Sequence, residues 1–104
     1  MNTEEILEER GGTHGRFKDN ARITQALVQA VTRSQNYGSL DDVQREALHM
    51  IFGKIARIMS GNADYIENWR DICGYSELVA KELQKKNGAL DSMVTYKTIK
   101  HANQ

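Results

Sequence analysis

The sequence predicts an all-α fold, a small bundle of three main helices preceded by a short N-terminal helix. The 104 residues contain no proline, and apolar residues recur at three- and four-residue steps through most of the chain. Only residues 93–99 are rich in the β-branched and aromatic side chains that favour strands. A lone strand has no partner within a helical monomer, so the domain itself is predicted to be helical.

The first helix is predicted to be short, over residues 3–10. Thr3 can cap it, and Glu4 and Glu5 place negative charge at its positive N-terminal end. The glycine-rich run at 11–15 is predicted to end this helix, since glycine loses more backbone freedom on folding than any other residue.

The second helix is predicted over about residues 19–35. Asn36, Tyr37 and Gly38 are expected to stop it, because Gly and Asn are common just past helix ends. Its apolar stripe has helical spacing and consists of Ile23, Ala26, Leu27, Ala30 and Val31.

The third helix is predicted to begin at Ser39, which with Asp42 has the spacing of a capping box. At about 100° per residue its apolar side chains fill about half of the circumference. So broad a face must pack against more than one neighbour, which also predicts a homodimer. The face comprises Val43, Ala47, Leu48, Met50, Ile51, Ile55, Ile58 and Met59.

The fourth helix is predicted to follow Gly61, with Asn62 as its N-cap. Trp69 and Cys73 lie on its apolar side and are expected in the core, while Gly74 predicts either a close helix approach or a kink. The domain is expected to cover residues 1–88. Residues 89–104 are expected to form a tail, either an exchange arm with an edge strand at 93–99 or a segment without structure.

Composition excludes several classes of function. Fourteen basic and fourteen acidic residues in mixed order provide no basic face, so broad capture of nucleic acid is not expected. No apolar run approaches the roughly 20 residues of a membrane span. The lone cysteine, Cys73, suits a reducing cytoplasm, which is the expected location.

Lys54 is the residue that core formation explains least well. It falls within about 40° of Val43, Ala47 and Met50 on the helical wheel, so apolar neighbours surround its stem while its ammonium needs an anion. Two interpretations remain open. Lys54 either snorkels or pairs internally with Glu46 or Asp71, or it joins Arg57 in a phosphate or carboxylate site.

Two further groups are candidate binding residues. Asp71 and Tyr75 lie one turn apart, and with Asp64 and Asn68 they form an oxygen-rich edge that could ligate Mg²⁺ or could simply be solvated surface.

The glycine-rich run Gly11-Gly12-Thr13-His14-Gly15-Arg16 precedes a helix N-terminus, where free amides attract anions. It is either an anion site, with His14 as a polar contact or proton carrier, or an ordinary connector.

Three blocks of the chain resemble a family of small, uncharacterised phage and prophage proteins, over roughly residues 5 to 84. The resemblance implies a phage origin more firmly than an activity. The blocks are Thr13-His14-Gly15-x-Phe17-x-x-Asn20-Ala21-x-Ile23, Gln44-Arg45-Glu46-Ala47-Leu48-x-Met50-Ile51-x-x-Lys54-Ile55-Ala56-Arg57-Ile58-x-Ser60-Gly61 and Asn68-Trp69-x-Asp71-Ile72-x-Gly74-Tyr75.

More distantly, the chain is similar to MazG-type all-α nucleoside triphosphate pyrophosphatases, whose associating helical subunits hold Mg²⁺ with Glu-x-x-Glu and Glu-x-x-Asp pairs. The chain departs from that pattern, because His49 stands at the third position after Glu46 and Glu67 reaches an acid only at Asp71. The similarity implies a shared bundle, and metal-dependent hydrolysis remains open.

Two classes of function are therefore expected. The first is a phage accessory protein that binds a nucleotide or another phosphate-bearing ligand. Whether it also hydrolyses that ligand is left open. Its expected ligand-binding residues are Lys54, Arg57, His14, Asn20 and Tyr75, with Asp71 placing Mg²⁺ or a water. The second is a non-catalytic helical module that binds a host or phage protein.

Overall fold

The chain folds into four helices joined by short connections. A computed structural model describes residues 2–91, with side chains described to residue 88. The helices are α1 (Thr3–His14), α2 (Phe17–Thr32), α3 (Asp42–Ser60) and α4 (Ile66–Asp91), with a single 3₁₀ turn at Tyr37–Ser39. Residues 2–91 contain no strand, and the all-α prediction is confirmed.

Helix α3 lies at the centre, and α2, α4 and α1 all pack against it. The expectation that its apolar face meets more than one neighbour is therefore confirmed. Its buried side chains are Ala47, Phe52 and Ala56. The two alanines carry no side-chain entropy cost, and their small size allows neighbouring helices to approach closely.

The predicted core is wrong in several places. Val43, Met50 and Met59 on α3 are exposed, whereas Phe52, which lay outside the predicted apolar arc, is buried. Trp69 is 52% exposed, with its indole Nε1 donating to the Ala63 carbonyl at 2.8 Å. Its polar edge therefore finds a backbone partner near the surface, which the helical wheel could not indicate.

One polar side chain is buried in the interior, although no apolar pattern predicted it there. Asn68 on α4 is only 1% exposed, and its Nδ2 has no hydrogen-bond partner among the described residues. Cys73, predicted in the core of the same helix, is exposed. Both residues show that the buried side of α4 is rotated from the side its apolar residues suggest.

The caps differ from the predicted ones. Asp41, not Ser39, caps α3: its carboxylate accepts from the Gln44 amide at 2.8 Å, and the Gln44 side chain accepts from the Asp41 amide at 3.0 Å. The Ser39 hydroxyl donates to the Asn36 carbonyl at 2.7 Å and is used in the 3₁₀ turn. Asn62 accepts from the Asp64 amide in a turn, and α4 begins only at Ile66.

Glycines inside the helices do not end them. Helix α1 continues through Gly11 and Gly12 to His14, so the predicted end near Arg10 is wrong. Helix α4 continues through Gly74, where a Cβ would meet nothing within 4 Å, and no close helix approach occurs there. Glycine in a helix costs about 1 kcal/mol relative to alanine, which packing and hydrogen bonds elsewhere can offset.

The structure bears on only some of the expectations about membranes, oligomeric state and the C-terminal tail. None of the helices within residues 2–91 combines the length and the apolar character that crossing a membrane requires. The homodimer stays a prediction. The strand considered at 93–99 lies outside the described residues.

Candidate functional site

The connection between α1 and α2 packs backbone to backbone against the end of α3. Gly15 ends α1 with a φ of +79°, in the region that favours glycine. A Cβ on Gly61 would lie 2.5 Å from the Thr13 carbonyl oxygen and 2.6 Å from the Gly15 nitrogen. The Asn62 amide donates to the same Thr13 carbonyl at 2.9 Å. We call this contact the glycine junction.

Asn20, on α2, forms hydrogen bonds to both sides of the glycine junction. Its Nδ2 donates to the His14 carbonyl at 2.7 Å, and its Oδ1 is hydrogen-bonded to the Ser60 hydroxyl. That hydroxyl also lies 2.8 Å from the Ala56 carbonyl. Both polar atoms of Asn20 are thus engaged in holding three helices together, which makes it a positioning residue.

A surface pocket of about 380 Å³ opens beside the glycine junction. Helices α1, α2 and α3 each contribute to its walls, and no carboxylate is among the side chains that line it. We call it the arginine pocket, and its lining consists of Leu7, Arg10, Gly11, His14, Gly15, Arg16, Phe17, Asn20 and Arg57.

The three arginines of this pocket, Arg10, Arg16 and Arg57, form no ion pair with an acid among the described residues. Every ion pair found among the described residues involves other basic side chains. Guanidinium groups match the geometry of phosphate and carboxylate oxygens and stay charged at all physiological pH values. The arginine pocket can therefore hold an anion.

His14 lines the arginine pocket. Burial lowers the pKa of its imidazole, and the positive charges of Arg57, Lys54 and Arg10 lower the pKa further. Its ring stands 5.5 Å from the Tyr65 ring, and its Nδ1 is buried without a hydrogen-bond partner in the described chain. The positive charges of Arg57, Lys54 and Arg10 around His14 favour an anion beside the ring.

The lowered pKa of His14 predicts a pH-dependent stability. The unfolded chain binds a proton at His14 at a higher pH than the folded chain does, so the free energy of unfolding should fall as pH falls below about 6.5. Urea unfolding between pH 7.5 and 5 measures this. His14→Gln should flatten the decline; an unchanged slope in that variant would assign the decline to other groups.

Lys54 forms an ion pair within the fold. Its ammonium lies 2.9 Å from the Asp71 carboxylate, and the two side chains are 15% and 42% exposed. Of the two interpretations that the sequence left open for Lys54, the structure shows the internal ion pair. Neither Lys54 nor Asp71 lines the arginine pocket, although the charge of Lys54 is close enough to act on His14.

Tyr75 lies in a different place from the other predicted ligand-binding residues. It lines a groove of about 350 Å³ between α3 and α4 whose walls are almost wholly apolar. The expected set is thus divided: His14, Asn20 and Arg57 meet in the arginine pocket, whereas Tyr75 lies in what we call the apolar groove. The other residues of that groove are Asp42, Val43, Glu46, Ala47, Met50 and Leu78.

The Mg²⁺ site that the sequence predicts at Asp71 stays a prediction. Among residues 2–91 no three His, Cys, Asp or Glu side chains come together in a way that could hold a metal ion. One oxygen of Asp71 already contacts the Lys54 ammonium. The arginine pocket offers no carboxylate ligand for a cation among the described residues that line it.

Arg10 and Phe17 line this pocket without having been predicted as binding residues, whereas Arg16 belongs to the run at 11–16 that was considered as an anion site. The predicted break at Gly11 placed Arg10 and His14 in different elements. With α1 continuous to His14, Leu7, Arg10 and His14 recur at three- and four-residue steps and so share one face. Reading the helix through both glycines would have revealed that face.

Comparisons of the chain with protein-family models, with curated proteins and with solved structures gave no match. The resemblance to phage and prophage proteins stays a prediction. The site is therefore interpreted from its own geometry.

Proposed function

We propose that this chain binds a nucleotide or another phosphate-bearing ligand in the arginine pocket, as an accessory protein of a phage or prophage. The observation that carries the binding proposal is the group of three arginines without acidic partners in a pocket that has no carboxylate in its walls. The phage origin rests on the sequence resemblance alone.

Charge and shape both support a phosphate-bearing ligand. Arg10 comes from α1, Arg16 immediately precedes α2 and Arg57 comes from α3, so the three guanidinium groups can approach an anion from different directions. The first turn of α2 also presents backbone amides, and Arg16 provides no side-chain cap for them. A phosphate can accept several such hydrogen bonds at once.

His14 fits the same ligand. An anion in the arginine pocket would offset the three positive charges that lower its pKa, and binding would be coupled to proton uptake at the imidazole. Asp71 is not part of the arginine pocket. The proposal therefore covers binding and includes no hydrolytic step.

The test is anion binding measured by calorimetry and by thermal shift. Inorganic phosphate, pyrophosphate and a panel of nucleoside triphosphates are titrated at matched ionic strength, with chloride as the reference anion. A ligand present at about 100 times its Kd should add roughly 2.7 kcal/mol to the free energy of unfolding. Arg57→Gln should weaken binding roughly 10- to 100-fold, since a hydrogen bond to a charged group contributes roughly 1.5–3 kcal/mol.

The matched control is Arg33→Gln, which removes the same charge at the C-terminal end of α2, about 24 Å along the helix from Phe17. It should leave binding almost unchanged. Equal weakening by both variants would show a general charge effect, and the absence of any stabilising anion would remove the proposal.

The second candidate function is a non-catalytic interaction module acting on a host or phage protein. The apolar groove favours it, because Val43, Met50 and Leu78 expose apolar surface there. The homodimer predicted from the sequence would compete for this groove, since one isologous contact covers these side chains in both copies. Mass in solution, measured by light scattering, distinguishes the two occupants: a monomer leaves the groove exposed for a partner protein, whereas a homodimer would count against this candidate.

A further inference from the structure

Two large apolar side chains line the otherwise polar arginine pocket. Phe17, the first residue of α2, is 87% exposed, and Leu7 on α1 is 61% exposed. Single apolar residues on a surface need no explanation, but these two belong to the same pocket as three unpaired arginines. Neither side chain contributes to the core, so local folding does not account for their positions.

The ring of Phe17 offers a free face to a ligand. Aromatic rings stack on planar heteroaromatic groups, and every nucleobase has a face that can be used in this way. Because Phe17 and Arg16 line the same pocket, a ligand stacked on the ring can extend towards a guanidinium group. That juxtaposition suits a small molecule with a charged end and a flat, apolar end.

We infer that the ligand is a nucleoside phosphate whose base stacks on Phe17 while its phosphate is held by Arg10, Arg16 and Arg57. This rests on the proposed function and makes it more specific, because sugar phosphates and inorganic anions lack the flat apolar end. Stacking uses a ring face that every nucleobase has, so discrimination between bases is expected to be weak.

The test compares AMP with ribose 5-phosphate, two monoesters of equal charge that differ in the base. Calorimetry on the wild-type chain should show AMP binding roughly 5- to 100-fold more tightly, the range that corresponds to stacking of one base on one aromatic side chain. Phe17→Leu should bring the ratio close to one and leave the affinity for ribose 5-phosphate unchanged. Phe17→Trp should keep or increase the preference for AMP.

Leu78→Ala is the control, because it shortens an exposed apolar side chain that lies outside the arginine pocket, and it should leave the ratio as in the wild type. Equal affinities of the wild-type chain for AMP and ribose 5-phosphate would overturn the stacking inference while phosphate binding stands. A preference for AMP that persists in Phe17→Leu would also overturn it. Failure of both ligands and of pyrophosphate to bind would overturn the proposed function and this inference together.

Discussion

Gly61→Ala is expected to lower the free energy of unfolding by about 2–4 kcal/mol, comparable to overpacking and strain in a core. The added Cβ would lie 2.5 to 2.6 Å from the Thr13 oxygen, the Gly15 nitrogen and the His14 carbonyl carbon. All three are backbone atoms, so no side chain can rotate away to make room. In a domain of this size the loss corresponds to a fall in Tm of roughly 10 °C or more.

Gly12→Ala is the matched control for this substitution. Gly12 lies within α1, and a Cβ there would meet nothing within 4 Å. The same chemical change should therefore stabilise the chain by about 0.5–1 kcal/mol, through helix propensity and a less flexible unfolded state. A tolerated Gly61→Ala would show that the glycine junction is looser than described, and anion binding should then survive as well.

The ion pair of Lys54 and Asp71 is expected to respond unequally to loss of its two members. Asp71→Ala removes the carboxylate partner of a lysine side chain that is only 15% exposed, whereas Lys54→Met leaves an aspartate side chain that is 42% exposed and can be hydrated. Loss of one partner of a fully buried pair costs about 3–5 kcal/mol. Partial exposure reduces this to about 1–2 kcal/mol for Asp71→Ala, with a change near zero for Lys54→Met.

Chemical unfolding of both variants measures the difference. Lys54→Met should also retain phosphate binding, because Lys54 does not line the arginine pocket. Loss of binding in Lys54→Met, at unchanged stability, would return Lys54 to the ligand site that the sequence suggested. Equal costs for the two variants would mean that the ammonium reaches water as readily as the carboxylate does.

The local pattern of apolar residues was sufficient to predict the class of fold. It was not sufficient to predict where the helices end or which of their faces are buried. The four helices follow from periodicity and from the absence of proline. The end of α1 could not be predicted in this way, because the hydrogen bond from Asn62 to Thr13 and the close contact at Gly61 join residues almost fifty positions apart in the sequence. Single-helix wheels likewise placed Trp69 inside, since they contain no information on how α4 is rotated against α3.

The candidate site was predicted in part for the same reason. His14, Asn20 and Arg57 were recognised individually as polar residues near glycines or apolar surface, and the fold brings them to one pocket. The pairing of Lys54 with Asp71 depends on the register between α3 and α4, which the sequence could offer only as one of two interpretations. Arg10 was missed because its helix was predicted to end too early.

A titration of the ¹⁵N-labelled chain with pyrophosphate, followed by ¹H–¹⁵N correlation spectra at constant ionic strength, tests the central claim most directly. Binding in the arginine pocket should shift the amide signals of residues 7–20 and 57–62 in a saturable manner, and Arg57→Gln should weaken that response. Shifts confined to the apolar groove around Tyr75, or small changes spread evenly over the chain, would contradict it.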